Sequence, residues 1–252
     1  METFPYRQVA DDLRQAIRRG DLAEGDKLPS EHQLSRKYAT TRSTVRKALA
    51  LLRSDGLVVS EQGRGVFVRT RPNVHLLGTG SNYRERRKTG VTNFNAEATA
   101  QDHQAEQKII SVEHVPAPED IAERLDVGEG TPLLVRRRLF VVDGHPMQLV
   151  DGYYARDLAD GTALAGEVRI KGGAHAEIEG PNIGRRLVRF VEELEIRMPT
   201  PSEVKVLDLL PGVPVARVLR TAYDADDRPV EVLESIVPGD RHRFLYDIHL
   251  PD

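Results

Sequence analysis

The 252 residues, 39% hydrophobic and 30% charged, suffice for one large domain or two modest ones with apolar cores. The absence of cysteine excludes disulfide staples, thiolate zinc sites, iron–sulfur clusters and a cysteine nucleophile. The net charge of −3 conceals a split, because residues 1–72 carry 14 Lys/Arg against 9 Asp/Glu, net +5, and the remainder is net −8.

From Tyr6 to Arg19 the apolar residues Tyr6, Val9, Ala10, Leu13, Ala16 and Ile17 recur every three or four positions and Gly20 follows, which predicts an amphipathic helix. After the turn-rich Gly25 to Pro29, Ser30 with Gln33 three residues on has the form of an N-cap and its reciprocal partner. A second, short helix is therefore predicted to end near Tyr38. A third starts behind Thr41, buries Val45, Ala48, Leu49 and Leu52, and stops at Gly56. Two helices joined by only Ala39 and Thr40 form a helix-turn-helix, whose second helix presents its N-terminal turn to the major groove. Arg42, Ser43, Thr44, Arg46 and Lys47 crowd that turn. Arginine reads guanine bidentately, hydroxyls reach phosphate or base edges, and the positive helix end attracts phosphate. Leu57–Ser60 and Val66–Val68 flank Glu61-Gln62-Gly63-Arg64-Gly65, a predicted β-hairpin with Arg64 at its tip, within reach of a minor groove.

These residues resemble the winged helix-turn-helix of the GntR family of bacterial transcription regulators. The resemblance is carried by Leu28-Pro29-Ser30-Glu31, Thr41 to Leu49, Asp55-Gly56-Leu57-Val58 and Gly63 to Val68. It implies operator contacts from Arg42, Ser43, Thr44 and Arg46 on the recognition helix and from Gly63 and Arg64 on the wing. His32 stands where the family usually has an arginine, which weakens one contact or makes it pH-sensitive. Ala39 replaces a frequent turn glycine, a milder departure.

Residues 71–90 are polar, contain Pro72 and the run Arg84 to Lys88, and show no sustained period, so a linker is expected there. Beyond it lies an internal repeat. Leu125-Asp126, Gly130, Pro132, Arg138, Asp143 and Pro146 are answered by Leu207-Asp208, Gly212, Pro214, Arg220, Asp226 and Pro229. Each copy reads as a strand, a short helix and a hairpin, and two copies predict one antiparallel sheet with helices on one face and a pocket between the halves. In the strand Leu133–Val142, odd positions form an apolar face interrupted by Arg137, and even positions set Arg136, Arg138 and Phe140 together. That second face suits an anionic or planar ligand, and equally a solvated sheet surface salt-bridged to Glu231, Glu234 or Asp151.

The body as a whole resembles the UTRA effector domain of the HutC branch of GntR regulators. The likeness rests on Thr92-Asn93-Phe94, Val115 to Ala122, Arg138, Asp143 to Pro146, Arg197 to Pro201, Thr221 to Asp224 and Arg228 to Glu231. It implies an α+β architecture: a winged helix-turn-helix domain over 1–70, a linker over 71–90, and a chorismate-lyase-like antiparallel-sheet UTRA domain over 91–252. It implies dimerisation through that domain and a small-molecule pocket in which Arg138 and Glu231 hold the ligand. The loops at Asn93 and Phe94 and at Lys171 to His175 would close over it. Phe140, Val150 and Val237 stand where phosphosugar-sensing members carry an arginine, a glutamate and a tyrosine, so the pocket is expected to favour something more apolar, or planar with one anionic group.

The expected function is thus that of a homodimeric transcription regulator, a repressor that leaves a palindromic operator in double-stranded DNA when a small-molecule effector binds. Alternatives are a constitutive DNA binder and a lyase-like enzyme on the same sheet. No paired-carboxylate motif, phosphate-cradling glycine loop or metal-ligand spacing appears, so neither catalysis, nor a cofactor, nor a metal is expected. No apolar run approaches a bilayer's thickness. The N-terminus, with Glu2, Pro5, Arg7, Asp11 and Asp12, lacks a basic start followed by an apolar stretch, and a cytoplasmic protein with no membrane partner is expected.

Overall fold

The computed structural model describes residues 5–70, 74–77 and 103–245. The chain divides into two compact units: an N-terminal one that runs to Arg71 and takes in Leu209–Val213, and a larger one made of the rest.

In the first unit, α1 (Pro5–Arg19) buries Val9, Ala10 and Leu13. Ser30 and Gln33 close a reciprocal capping box at the start of α2 (Glu31–Lys37). The Thr41 hydroxyl accepts from the Thr44 amide at 3.1 Å and caps α3 (Arg42–Ser54). Between them Ala39 takes φ +45°, the left-handed conformation in which a side chain is strained. The hairpin β1 (Val58–Glu61) and β2 (Gly65–Val68) is antiparallel. The segment Asp26–Leu28 runs beside β2, with Leu28 N–H donating to the Val66 carbonyl and the Val68 N–H to the Asp26 carbonyl, each at 2.8 Å. Leu34, Val45, Ala48 and Leu52 are fully buried at the centre of the unit's core.

In the second unit the strands are β3 (Val74–Leu77), β4 (Ala105–Pro116), β5 (Pro132–Val142), β6 (His145–Ala155), β7 (Leu187–Arg197), β8 (Val215–Asp224), β9 (Pro229–Pro238) and β10 (His242–Leu245). The helices are α4 (Glu119–Leu125), α5 (Arg156–Ala159), α6 (Ala174–Glu179) and α7 (Pro201–Val206). Six strands form one antiparallel sheet in the order β4-β5-β6-β9-β8-β7. That order is symmetric about the β6–β9 pair, so β4-α4-β5-β6 and β7-α7-β8-β9 are the two copies of the repeat. Asp126 and Asp208, at matching positions after α4 and α7, both adopt left-handed φ, +55° and +48°.

Two expectations need correction. The helices do not keep to one face. Helix α4 covers Leu133, Val135, Tyr153 and Val232, whereas Ala159, Leu164, Ala174 and Ile178 of the stretch between the copies cover Leu134, Tyr154, Ala222 and Val230 on the other side. The reason is that β5 is buried on both faces, Leu133, Leu134 and Val135 alike, and both need an apolar cover. The supposed linker at 71–90 also contains a strand. β3 pairs in parallel with β10, a partner so distant in sequence that no local period reveals it.

Candidate functional site

The head presents its polar groups on two neighbouring elements. Arg42, Ser43, Arg46 and Lys47 are exposed on the first turns of α3, and Thr44, tied to the Thr41 cap, is half-buried. Helix α2 reaches across to them: Glu31 pairs with Arg46 at 2.8 Å, and Arg42 Nη2 lies 3.3 Å from His32 Nδ1. On the wing, Gly63 at φ +73° makes the tip, and Arg64 pairs with Glu61 while lying 5.4 Å over the Phe67 ring. Lys27 approaches the same ring at 5.9 Å. Exposed pairs of this kind are worth at most about 1 kcal/mol, so Arg46 and Arg64 are easily transferred to a phosphate.

In the body, the face opposite α4 has a polar centre built in rows by sheet register. Arg138, Val150, Ser235 and Val218 form one row, and Arg136, Gly152, Leu233, Arg220 and Glu192 the next. Glu231 is buried beside them, with its two oxygens occupied: the Tyr154 hydroxyl donates at 2.5 Å and His175 Nε2 lies at 2.6 Å. Burial alone would raise this carboxyl; the His175 ring, the Tyr154 hydroxyl and Arg138 outweigh it and bring its pKa to about 2. Burial and the same carboxylate push the Tyr154 hydroxyl well above its ordinary range. The His175 ring stacks on Phe190, with centroids 5.5 Å apart.

The two arginines of β5 are used differently. Arg136, with 1% of its surface exposed, donates to the carbonyls of Leu164, Gly166 and Val168 and so ties down the stretch between the copies. Burial first, and Arg138 second, lower its pKa. Arg138 is 8% exposed, and among the described residues its Nε and Nη2 have no hydrogen-bond partner. It leans over Gly152, where a Cβ would lie 3.2 Å from Nη2 and 2.7 Å from the Tyr154 hydroxyl.

A family model for bacterial regulatory proteins of the gntR family matches residues 5–68, and one for the UTRA domain matches 100–243, more than half of the chain. The chain belongs to the UTRA-domain regulators of the gntR family. This regulator is 30% identical to an uncharacterized HTH-type transcriptional regulator of Rhizobium meliloti, over 94% of its own length and 91% of the relative's. It is 26% identical to the HTH-type transcriptional repressor NagR of Bacillus subtilis, over 96% and 93%. The crystal structure of PhnF from Mycobacterium smegmatis superposes with a TM-score of 0.60 at 27% identity, covering 96% of this chain and all of that one. The regulator is accordingly a DNA-binding transcription regulator, with its DNA-reading domain in the head and a UTRA effector domain in the body.

Of the residues singled out in its sequence, His32, Arg42, Ser43, Thr44, Arg46 and Lys47 lie together on α2 and α3, and Gly63 and Arg64 on the wing. Arg138, His175 and Glu231 come together in the body, with Arg136 alongside but engaged by carbonyls. Phe140 sits in an apolar cluster with Val150, Val218 and Val237. Asn93 and Phe94 lie outside the described residues. Sequence reasoning missed Tyr154 and Gly152. Their period-two spacing along β6, with Gly152 paired to Arg136 and Tyr154 to Leu134, was the available signal. Among the described residues no helix is long and apolar enough to cross a membrane.

Proposed function

We propose that this regulator is a cytoplasmic, homodimeric repressor that releases a palindromic operator when a small anionic effector occupies the site at Arg138. The observation that carries the effector half is the guanidinium fork of Arg138, buried and, among the described residues, without a partner at Nε and Nη2. Leaving such a charged donor unsatisfied costs about 1–3 kcal/mol, which a bound anion would recover. Release follows if the effector binds the DNA-competent and incompetent arrangements unequally. The name of the Bacillus subtilis relative, a repressor, supports the sign of control. Two copies of the head would read the two half-sites of a palindrome.

The test is a gel shift with DNA from the regulator's own upstream region. Wild type should retain it at low salt, with affinity falling steeply as salt rises, and Arg42→Ala should lose specific retention. Unchanged retention by Arg42→Ala would remove α3 from the operator interface. An operator complex that no extract of metabolite-rich cells relieves would sink effector control.

A further inference from the structure

The geometry points to a monocarboxylate with an apolar body as the effector, bound by the free fork of Arg138 and seated against Phe140, Val150, Val218 and Val237. The inference rests on the reading that this site controls operator binding, and it names the ligand class.

Three observations lead there. First, Nε–H and Nη2–H point the same way from one edge of the guanidinium, a fork that matches the two oxygens of one carboxylate. Both are buried and, among the described residues, unpartnered. Second, the charges facing Arg138 favour an anion. Arg136 adds a positive charge and Glu231 a negative one, and both Glu231 oxygens already accept hydrogen bonds. Arg220 and Glu192 cancel in a pair at 2.6 Å. Arg136 and Arg138 thus outnumber Glu231 by one positive charge before the His175 ring is counted. Third, a phosphate monoester brings three oxygens and up to two charges, and among the described residues the row that carries the fork offers one hydroxyl, Ser235, between the apolar Val150 and Val218. Arg136 is spent on the carbonyls of Leu164, Gly166 and Val168. Arg138's cross-strand neighbour is Val150, and Val150 packs in one apolar cluster with Phe140, Val218 and Val237. An oxygen left unpaired against that surface would be penalised, whereas a hydrocarbon or aryl group would be favoured.

The experiment is isothermal titration calorimetry on the full-length protein with 3-phenylpropionate, its neutral amide, phenyl phosphate and inorganic phosphate. Each probe is run against wild type, Arg138→Lys and Arg138→Met. Unliganded operator retention and circular dichroism confirm that the variants are folded, and Arg138→Lys keeps the charge while removing the fork. We expect 3-phenylpropionate to bind wild type and the amide to bind on the order of 10- to 100-fold more weakly. Arg138→Lys should weaken the carboxylate about 10-fold and Arg138→Met more. The inference is overturned if phenyl phosphate or inorganic phosphate binds more tightly than the carboxylate, or if the amide binds equally well. It is also overturned if Arg138→Met leaves carboxylate binding unchanged, or if the carboxylate gives no binding at millimolar concentration. Gel shifts with the same probes separate this failure from that of the underlying reading. Operator release by phenyl phosphate alone keeps effector control and discards the carboxylate. Carboxylate bound through Arg138 without operator release keeps the ligand class and discards effector control.

Discussion

Replacing Glu231 by glutamine tests whether the buried centre of the effector domain is held by charge. The carboxylate accepts from the Tyr154 hydroxyl at 2.5 Å and lies 2.6 Å from His175 Nε2. Its pKa of about 2, against an ordinary 4.5, means that the folded protein holds the ionised form more firmly than the unfolded chain does. The contribution to stability is therefore complete above pH 4.5 and is lost as pH falls toward 2. A gap of roughly two and a half units corresponds to about 3 kcal/mol. Glu231→Gln keeps the shape, turns one acceptor into a donor and removes the charge that Tyr154 and His175 both bond. In urea this should lower the unfolding midpoint of the effector domain by about 1–2 M at pH 7, followed by tyrosine fluorescence and circular dichroism. Other carboxylates titrate in both proteins, so the informative quantity is the difference between wild type and variant across pH. It should shrink steadily between pH 5 and pH 3. A difference that stays constant over that range, or a variant as stable as wild type at pH 7, would refute the argument.

Three further outcomes follow from geometry. Gly152→Ala places a methyl 2.7 Å from the Tyr154 hydroxyl and 3.2 Å from Arg138 Nη2. Tyr154 is fully buried and cannot swing away, so a loss of about 1–3 kcal/mol is expected in thermal unfolding; an unchanged melting temperature would place the tyrosine elsewhere. Leu52→Ala, at a fully buried position in the head, should cost about 2–5 kcal/mol and weaken operator retention at elevated temperature while ligand calorimetry is unaffected. Ala39→Gly removes a side chain from φ +45° and should stabilise the head by up to about 1 kcal/mol, a gain to be read as a higher melting temperature of the isolated operator complex.

The head was legible because its signals are local. Ser30 with Gln33, Thr41, Gly56 and the two wing glycines each mark an element by chemistry within a few residues, and all of them appear where expected. The repeat was legible for the same reason: the doubled Leu-Asp, Gly and Pro positions fix equivalent turns, and the equivalence extends to the left-handed Asp126 and Asp208. What depends on distant partners was hidden. Arg136 and Arg138 are alike in sequence, two residues apart on one face, and only the carbonyls of Leu164, Gly166 and Val168 separate a tie from a free fork. The segment Asp26–Leu28 beside the wing, and β3 beside β10, likewise owe their conformation to pairing.

The β3–β10 pairing bears on the order in which the chain can mature as it leaves the ribosome. Leu209–Val213, which belong to the same compact unit as the head, arrive only with the second copy of the repeat, but the apolar core of the head draws on Tyr6 to Val68, present once about the first quarter of the protein has emerged. β3, which follows immediately, must wait with its edge unpaired until β10 is made, after both copies of the repeat. The nascent regulator thus acquires the apolar core of its DNA reader long before the strand that follows it is clasped, and a truncated product lacking β10 would retain that core while leaving that strand open.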